Sequence, residues 1–181
     1  MCLNPEVQDR LRAECEEKLS EVDPDSVDAA VFDADHMPYL AAVCNETLRL
    51  YPPATATSRS CARDTFLGGQ KVPAGTQTLI PIRSINRDPA FWGPNATKFD
   101  PNRWIDGPDA GHGGATHPHA FLSFFYGPRS CIGQGFARLE MKAILAALIL
   151  RFGFELAEPD RKVELGGFLI AKPDGGQVEA D

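Results

Sequence analysis

A chain of 181 residues, 43% hydrophobic and 24% charged, has the composition of about one globular domain. Its net charge of −7 argues against a nucleic-acid surface. The five cysteines (Cys2, Cys15, Cys44, Cys61 and Cys131) are odd in number, scattered and without a C-x-x-C pair, which points to a reducing compartment and away from a disulfide framework or a structural zinc module.

In chain order, Asn4-Pro5-Glu6 reads as N-cap, first helical residue and acidic first turn. Val7, Leu11 and Cys15 follow at four-residue spacing, so an amphipathic helix is predicted to end before Pro24. The acidic stretch from Asp23 to Asp35 is predicted to be a loop with a short helical turn. Pro38 starts a second helix whose buried stripe is Leu40, Val43, Cys44, Thr47 and Leu48, and Tyr51-Pro52-Pro53 ends it. From Ala54 to Ile85, short runs bearing Thr and Val are separated by Gly68-Gly69 and by Pro73-Ala74-Gly75, the texture of a small β-sheet of hairpins.

Asn86 to Gly114 is rich in Pro, Gly and Asp and is predicted to be ordered but irregular, because Phe91, Trp92, Phe99 and Trp104 give it something to bury. A helix from about Gln134 to Phe152 is apolar over its second half, and burial is expected there. Gly166-Gly167 and Asp174-Gly175-Gly176 flank Phe168-Leu169-Ile170, the pattern of a closing β-hairpin. The longest apolar run, Ala143 to Leu150, is far short of the roughly 18–20 residues that cross a bilayer. No apolar signal region follows Met1, so no anchor or signal is expected in this chain.

The most informative segment is Phe124-Phe125-Tyr126-Gly127-Pro128-Arg129-Ser130-Cys131-Ile132-Gly133, of the form F-x-x-G-x-R-x-C-x-G. Gly127, Pro128 and Gly133 allow a tight turn around Cys131 and close approach of a flat ligand. Cys131 sits just before a predicted helix, whose free N–H groups and positive dipole end favour a thiolate. Arg129 adds positive charge that can meet a ligand carboxylate. A cysteine so placed can give a thiolate to a metal, although a buried cysteine beside a glycine-rich turn remains the plainer alternative.

The segment resembles the haem-binding loop of the cytochrome P-450 monooxygenases, in which this cysteine is the axial ligand to haem iron. Two further segments carry the resemblance. Glu46-Thr47-Leu48-Arg49 is similar to the family's E-x-x-R pair, and Phe99-Asp100-Pro101-Asn102-Arg103-Trp104 to its meander with the arginine that joins that pair. The resemblance implies a buried salt bridge of Glu46, Arg49 and Arg103 with a structural role. Asn102 stands where the family usually has an acid, and Trp104 where Phe is commoner; these departures are expected to touch only outer contacts. Arg59 is spaced as a haem-propionate arginine, partnering Arg129. Phe124 would shield the sulfur, and Gly133 belongs to the same cofactor-binding turn, with Ala137 and Glu140 continuing the pattern. Pro53 to Thr57 and Gly167 to Leu169 correspond to places of substrate contact.

The implied fold is mostly α with small β-sheets (α+β), with residues 1–181 forming the C-terminal part of a single haem domain. The N-terminal part and the central oxygen-activating helix are expected to be absent, so no catalytic residue is expected here and the chain alone is expected to be inactive. The implied parent activity is monooxygenation of a small, largely apolar organic substrate. Haem would be the cofactor and an NADPH-dependent flavoprotein reductase the electron source. The Pro52-Pro53 helix end and the 171–175 tail lean to the microsomal branch, which implies the cytoplasmic face of the endoplasmic reticulum for the parent protein. Two other readings stay open. One is a truncated, inactive fragment of such an enzyme. The other is a small zinc module using His112, His117, His119 and Cys131, although His117-Pro118-His119 is expected to point its rings apart and the spacing fits no familiar tetrahedral site.

Overall fold

The computed structural model describes residues 2–20, 22–23, 28–157, 164–166, 172–174 and 178–180. Helix α1 spans Pro5–Leu19, with Pro5 at the first helical position. Asn4 precedes it without a side-chain capping bond; its backbone carbonyl instead accepts from the N–H groups of Val7 and Gln8. The stripe of Val7, Leu11 and Cys15 is buried. A 3₁₀ turn, Ala29–Phe32, supplies the helical turn expected in the acidic loop and buries Phe32; residues 24–27 of that loop lie outside the described residues.

Helix α2 spans Pro38–Leu50 and ends where the Tyr51 N–H returns to the Thr47 carbonyl ahead of Pro52. Leu40, Val43 and Cys44 are buried, whereas Thr47 and Leu48 are only half-buried. Glu46 and Arg49 are both fully buried, so this helix hides its charges more completely than part of its apolar stripe.

The polar residues of α1 tie the other helices down. The Glu14 carboxylate accepts from the backbone N–H groups of Tyr39 (2.8 Å) and Leu40 (2.7 Å), capping α2 from another helix. A later helix, Gln134–Ile149 (α5 in chain order, after two short helical turns described below), receives the converse treatment: Arg12 donates to the carbonyls of Ile149 and Phe152 at its C-terminal end. Gln8 exchanges two hydrogen bonds with the backbone of Phe154 just beyond it. Replacing Glu14 with alanine leaves two N–H groups at the α2 terminus without their acceptor. The expected cost is about 1–2 kcal/mol, read as a lower denaturant midpoint; an unchanged midpoint would show that water caps this terminus equally well.

The core where these helices meet contains Leu11, Cys15, Met37, Leu40, Val43, Cys44, Ala146 and Ile149. Burial pushes the Cys15 and Cys44 thiols up to about 12, so both are protonated core groups. The expected burial of α5 holds for one face only. Ala146 and Ile149 are buried, but Phe136, Ile144 and Leu148 are exposed, because α5 packs on α1 and α2 from one side. The helix also ends at Ile149 rather than Phe152, with Leu150 as its cap.

The region from Ala54 to Ile85 forms two antiparallel pairs and then a helical turn. Strands β1 (Thr57–Ser60) and β4 (Gln77–Ile80) pair with Thr57 opposite Ile80. Between them β2 (Thr65–Leu67) and β3 (Gln70–Val72) form a hairpin. Its turn is Gly68-Gly69, with φ of +55° and +80°, the doubly left-handed geometry that glycine adopts without strain. The turn α3 (Ile82–Ile85) replaces the strand expected there and buries Ile82.

Residues 86–114 are irregular, as their composition implies, but contain short helical turns: α4 (Pro89–Trp92) and 3₁₀ turns at Pro101–Trp104 and Ala110–His112. Trp92, Ala96, Ala115, Ala120 and Phe121 form a second core, with Leu48, Phe91, Trp104 and Phe124 against it. At the C-terminal end, β5 (Phe154–Leu156) pairs with β8 (Val178–Ala180), and β6 (Glu164–Gly166) with β7 (Lys172–Asp174). The closing hairpin thus uses 164–166 and 172–174. Phe168-Leu169-Ile170 and the substrate-contact expectation at Gly167 to Leu169 lie outside the described residues.

Candidate functional site

Among the described residues, a carboxylate and a guanidinium are both fully buried. Glu46 and Arg49 lie one helical turn apart on α2, and both side chains are 0% exposed. Arg49 donates Nε to Oε2 and Nη2 to Oε1 of Glu46, each at 2.8 Å, a bidentate fork. Arg103 reaches Oε1 from the meander at 3.1 Å, and the Asp100 backbone N–H adds a donor at 2.9 Å. The structure therefore brings Glu46, Arg49 and Arg103 together.

Burial alone pushes the Glu46 carboxyl up. The Arg49 hydrogen bonds and charge, with the Asp100 N–H and the Arg103 charge, outweigh it and hold the group below its ordinary value. The rest of Arg49 is spent on backbone: it donates to the carbonyls of Asn86 (2.7 Å), Ala96 (2.5 Å) and Lys98 (3.1 Å).

Trp104 belongs to this cluster, contrary to the expectation that it touches only outer contacts. Its indole Nε1 donates to Glu46 Oε2 at 3.0 Å, a bond that phenylalanine cannot make. Asn102 also has a role of its own, accepting from Arg10 Nη1 of α1 at 2.7 Å. Asn86 is a second residue that sequence reasoning missed. Fully buried, it donates to the Arg49 carbonyl and to Ser123 Oγ and accepts from the Leu122 N–H, joining α2 to the segment before the cysteine turn. In the sequence it is one asparagine in a loop, with no pattern to mark it.

The cysteine turn itself is shaped by its backbone. Phe125 (φ +59°) and Gly127 (φ +74°) are left-handed, which permits a short 3₁₀ turn at Gly127–Arg129. The Cys131 N–H donates to the Phe124 carbonyl at 2.8 Å, and the Ser130 N–H to that of Gly127 at 3.0 Å. Gly133 then opens α5, and its carbonyl accepts from Ala137. A Cβ at Gly133 would stand 4.0 Å from Cys131 Sγ, which places the sulfur over the start of this helix. Cys131 is exposed, and its neighbour Ile132 is wholly so.

Arg59 leans over the Phe125 ring at 5.6 Å while donating to Thr57 Oγ1 and the Ser58 carbonyl, so a cation stands beside the turn. Arg129 is exposed within the turn. Phe124 is half-buried, with its ring 5.2 Å from the Arg138 guanidinium. A cleft of about 220 Å³ lies here, walled by Phe121, Phe124, Tyr126, Ser130 and Arg138. Desolvation lowers the Arg138 pKa, and its Nε has no hydrogen-bond partner among the described residues.

The histidines do not assemble with Cys131. His112 lies 3.5 Å from Asp109, and His119 stacks on Tyr126. The rings of His117 and His119 meet edge to face at 5.4 Å rather than pointing apart, because the His119 N–H donates to His117 Nδ1. Among the described residues no group of three or more His, Cys, Asp or Glu side chains converges as a metal site.

What this arrangement offers is one solvent-open sulfur above a helix terminus, flanked by cations and apolar surface and braced from behind by a buried ionic cluster. Comparison with known proteins finds relatives along nearly the whole chain. A family model described as Cytochrome P450 matches residues 1–179. The chain is 45% identical over 179 residues to cytochrome P450 monooxygenase sphH of Aspergillus fumigatus, covering 97% of this chain and 33% of that protein. It is 42% identical over 179 residues to cytochrome P450 monooxygenase ptmK of Penicillium ochrochloron, covering 96% and 34%. Against cytochrome P450 4F12 of Homo sapiens the identity is 39% over 176 residues, covering 96% and 32%. The chain spans about a third of the length of these relatives.

Proposed function

The chain belongs to the cytochrome P450 family, and from that membership we propose that residues 1–181 are the C-terminal part of a haem domain in which Cys131 is the thiolate ligand to haem iron. One observation carries the assignment of the ligand. Of the five cysteines, Cys131 alone is exposed; Cys15 and Cys44 are buried, and Cys2 and Cys61 are intermediate. The donor chemistry fits as well: a single soft sulfur is the protein donor that a haem iron would take.

The other residues take roles that follow from their places. Phe124 would shield one side of the sulfur in the haem-loaded protein, and its carbonyl accepts from the Cys131 N–H. Gly133 leaves the approach to the sulfur free of a side chain, and exposed Ile132 and Phe136 offer apolar surface to a flat macrocycle. Arg59 and Arg129 supply positive charge for its carboxylates. Glu46, Arg49 and Arg103 hold the meander against α2 behind this site. When bound, haem supplies the oxygen activation and the oxidising power; the chain orients it, tunes it through sulfur and excludes water.

The proposed parent activity is monooxygenation of a small, largely apolar organic substrate with NADPH-derived electrons from a flavoprotein reductase, at the cytoplasmic face of the endoplasmic reticulum. The printed names of the fungal relatives, which are monooxygenases, support the reaction class. Pro53 to Thr57, beside Arg59, is the proposed place of substrate contact within the described residues. Among those residues no helix is long and apolar enough to cross a membrane. The test is spectroscopic: the haem-loaded protein, reduced under carbon monoxide, is expected to show the red-shifted Soret band of thiolate-ligated iron. An unshifted band would overturn the ligand assignment.

A further inference from the structure

We infer that Trp104 is a positioning residue, whose indole N–H and ring together tie the buried Glu46 carboxylate to the aromatic core that carries the Cys131 turn. The N–H end is set by the 3.0 Å bond to Oε2 of Glu46. A carboxylate with no access to water needs its lone pairs met by protein donors, and each one counts for more than it would in solvent. The remaining donors are Arg49 from the same helix, and Arg103 and the Asp100 N–H from the meander. Arg49 and Arg103 are the charged groups facing Glu46.

The ring end is held independently. Trp104 meets Phe121 edge to face at 5.2 Å and Trp92 at 6.1 Å. Gly113 seats against the indole so closely that a Cβ there would stand 2.9 Å from the ring atoms Cε2 and Cζ2, and its φ is +71°. Phe121 passes the contact on: it and Phe124 both lie under the Arg138 guanidinium, and the Phe124 carbonyl holds the Cys131 N–H. An unbroken series of contacts thus runs from the ionic cluster to the turn. The inference rests on the proposed haem-thiolate reading only for what the turn is held in place to do.

The test is Trp104→Phe, which keeps a ring and removes the N–H. Stability is measured on the haem-loaded protein by denaturant unfolding followed by far-ultraviolet circular dichroism, at a series of pH values. At neutral pH the folding equilibrium constant is expected to fall on the order of tenfold. The sign of the pH dependence is fixed by Glu46. Its folded carboxyl lies below the ordinary value, so its contribution is full above the unfolded pKa and is lost as pH falls through the folded one. Removing a donor brings the folded value closer to the unfolded one. The gap between wild type and Trp104→Phe is therefore expected to be largest at neutral pH and to narrow as the solution is acidified.

Lost ring packing alone would give a gap that does not change with pH, and that result would overturn the inference. Gly113→Ala supplies a second measurement. Its cost is expected to be larger in the wild-type background than in the Trp104→Phe background, because the atoms it strikes belong to the far ring of the indole; equal costs would also overturn the inference. Circular dichroism reads the backbone, so the outcome is separable from the haem assignment. A wild type with no red-shifted band but a pH-dependent gap would refute the ligand role of Cys131 and support the role of Trp104.

Discussion

In the full-length parent protein, on the proposed assignment, Cys131→Ser is expected to abolish the red-shifted Soret band and all haem-dependent turnover while leaving the backbone folded. Cys131 is exposed, and the bond that shapes its turn is made by its N–H rather than by its sulfur, so serine fits the same backbone. What is lost is the one exposed thiol. A serine hydroxyl is a harder ligand and stays protonated at neutral pH, so it cannot reproduce the electronic effect of a thiolate on iron. The other cysteines separate cleanly from this behaviour. Cys2→Ser and Cys61→Ser are expected to change neither spectrum nor stability. Cys15→Ser and Cys44→Ser place a hydroxyl in the helical core, at a cost of about 1–3 kcal/mol, yet should keep the spectrum of whatever protein remains folded. A thiolate spectrum surviving in Cys131→Ser would refute the assignment.

Arg49→Leu is expected to produce the largest loss of stability of any single substitution considered, about 3–5 kcal/mol. Burial of the leucine does not offset what disappears. The Glu46 carboxylate loses its bidentate partner, and the carbonyls of Asn86, Ala96 and Lys98 lose the donor that reached them. Against a total stability of roughly 5–15 kcal/mol, such a loss removes much of the margin. Denaturant midpoints for the wild type and Arg49→Leu measure it directly. A midpoint shifted by less than the equivalent of about 1 kcal/mol, the scale of one ordinary hydrogen bond, would mean that water reaches the cluster and compensates.

The helices were legible because their periodicity and prolines act locally. Pro5 and Pro38 start α1 and α2, and Pro52 follows the end of α2. The exposed side of α5 was not legible, since an apolar residue looks the same in sequence whether its helix packs on one face or on all. Ile144 and Leu148 were therefore expected inside and lie outside. The cysteine turn and the Glu46 cluster were legible through motif, because several residue types had to coincide at fixed spacing. The donors completing that cluster were not. Trp104 and Asn86 act through atoms whose partners lie 58 and 37 residues away, and no local pattern announces such a bond. The cap on α2 was hidden for the same reason: Met37 at the cap position makes no side-chain capping bond, and the acceptor is Glu14 on another helix.

The reach of Arg49 has a consequence for the order in which the molecule assembles. Its backbone partners lie 37, 47 and 49 residues further along, so none of these bonds can form within a local stretch of chain. Each requires closing a long loop, whose entropy is lost before the bond is gained. Until α2 exists and this side chain is in place, the carbonyls of Asn86, Ala96 and Lys98 must be satisfied by water. Residues 86–98 are then expected to arrive late on a helix that forms early, and the two should open as one cooperative unit. In hydrogen exchange, amides of the segment that are bonded in the native structure, such as those of Trp92 and Ala96, would share one opening free energy. A single buried guanidinium thus sets the timetable for a stretch of chain that has almost no regular structure of its own.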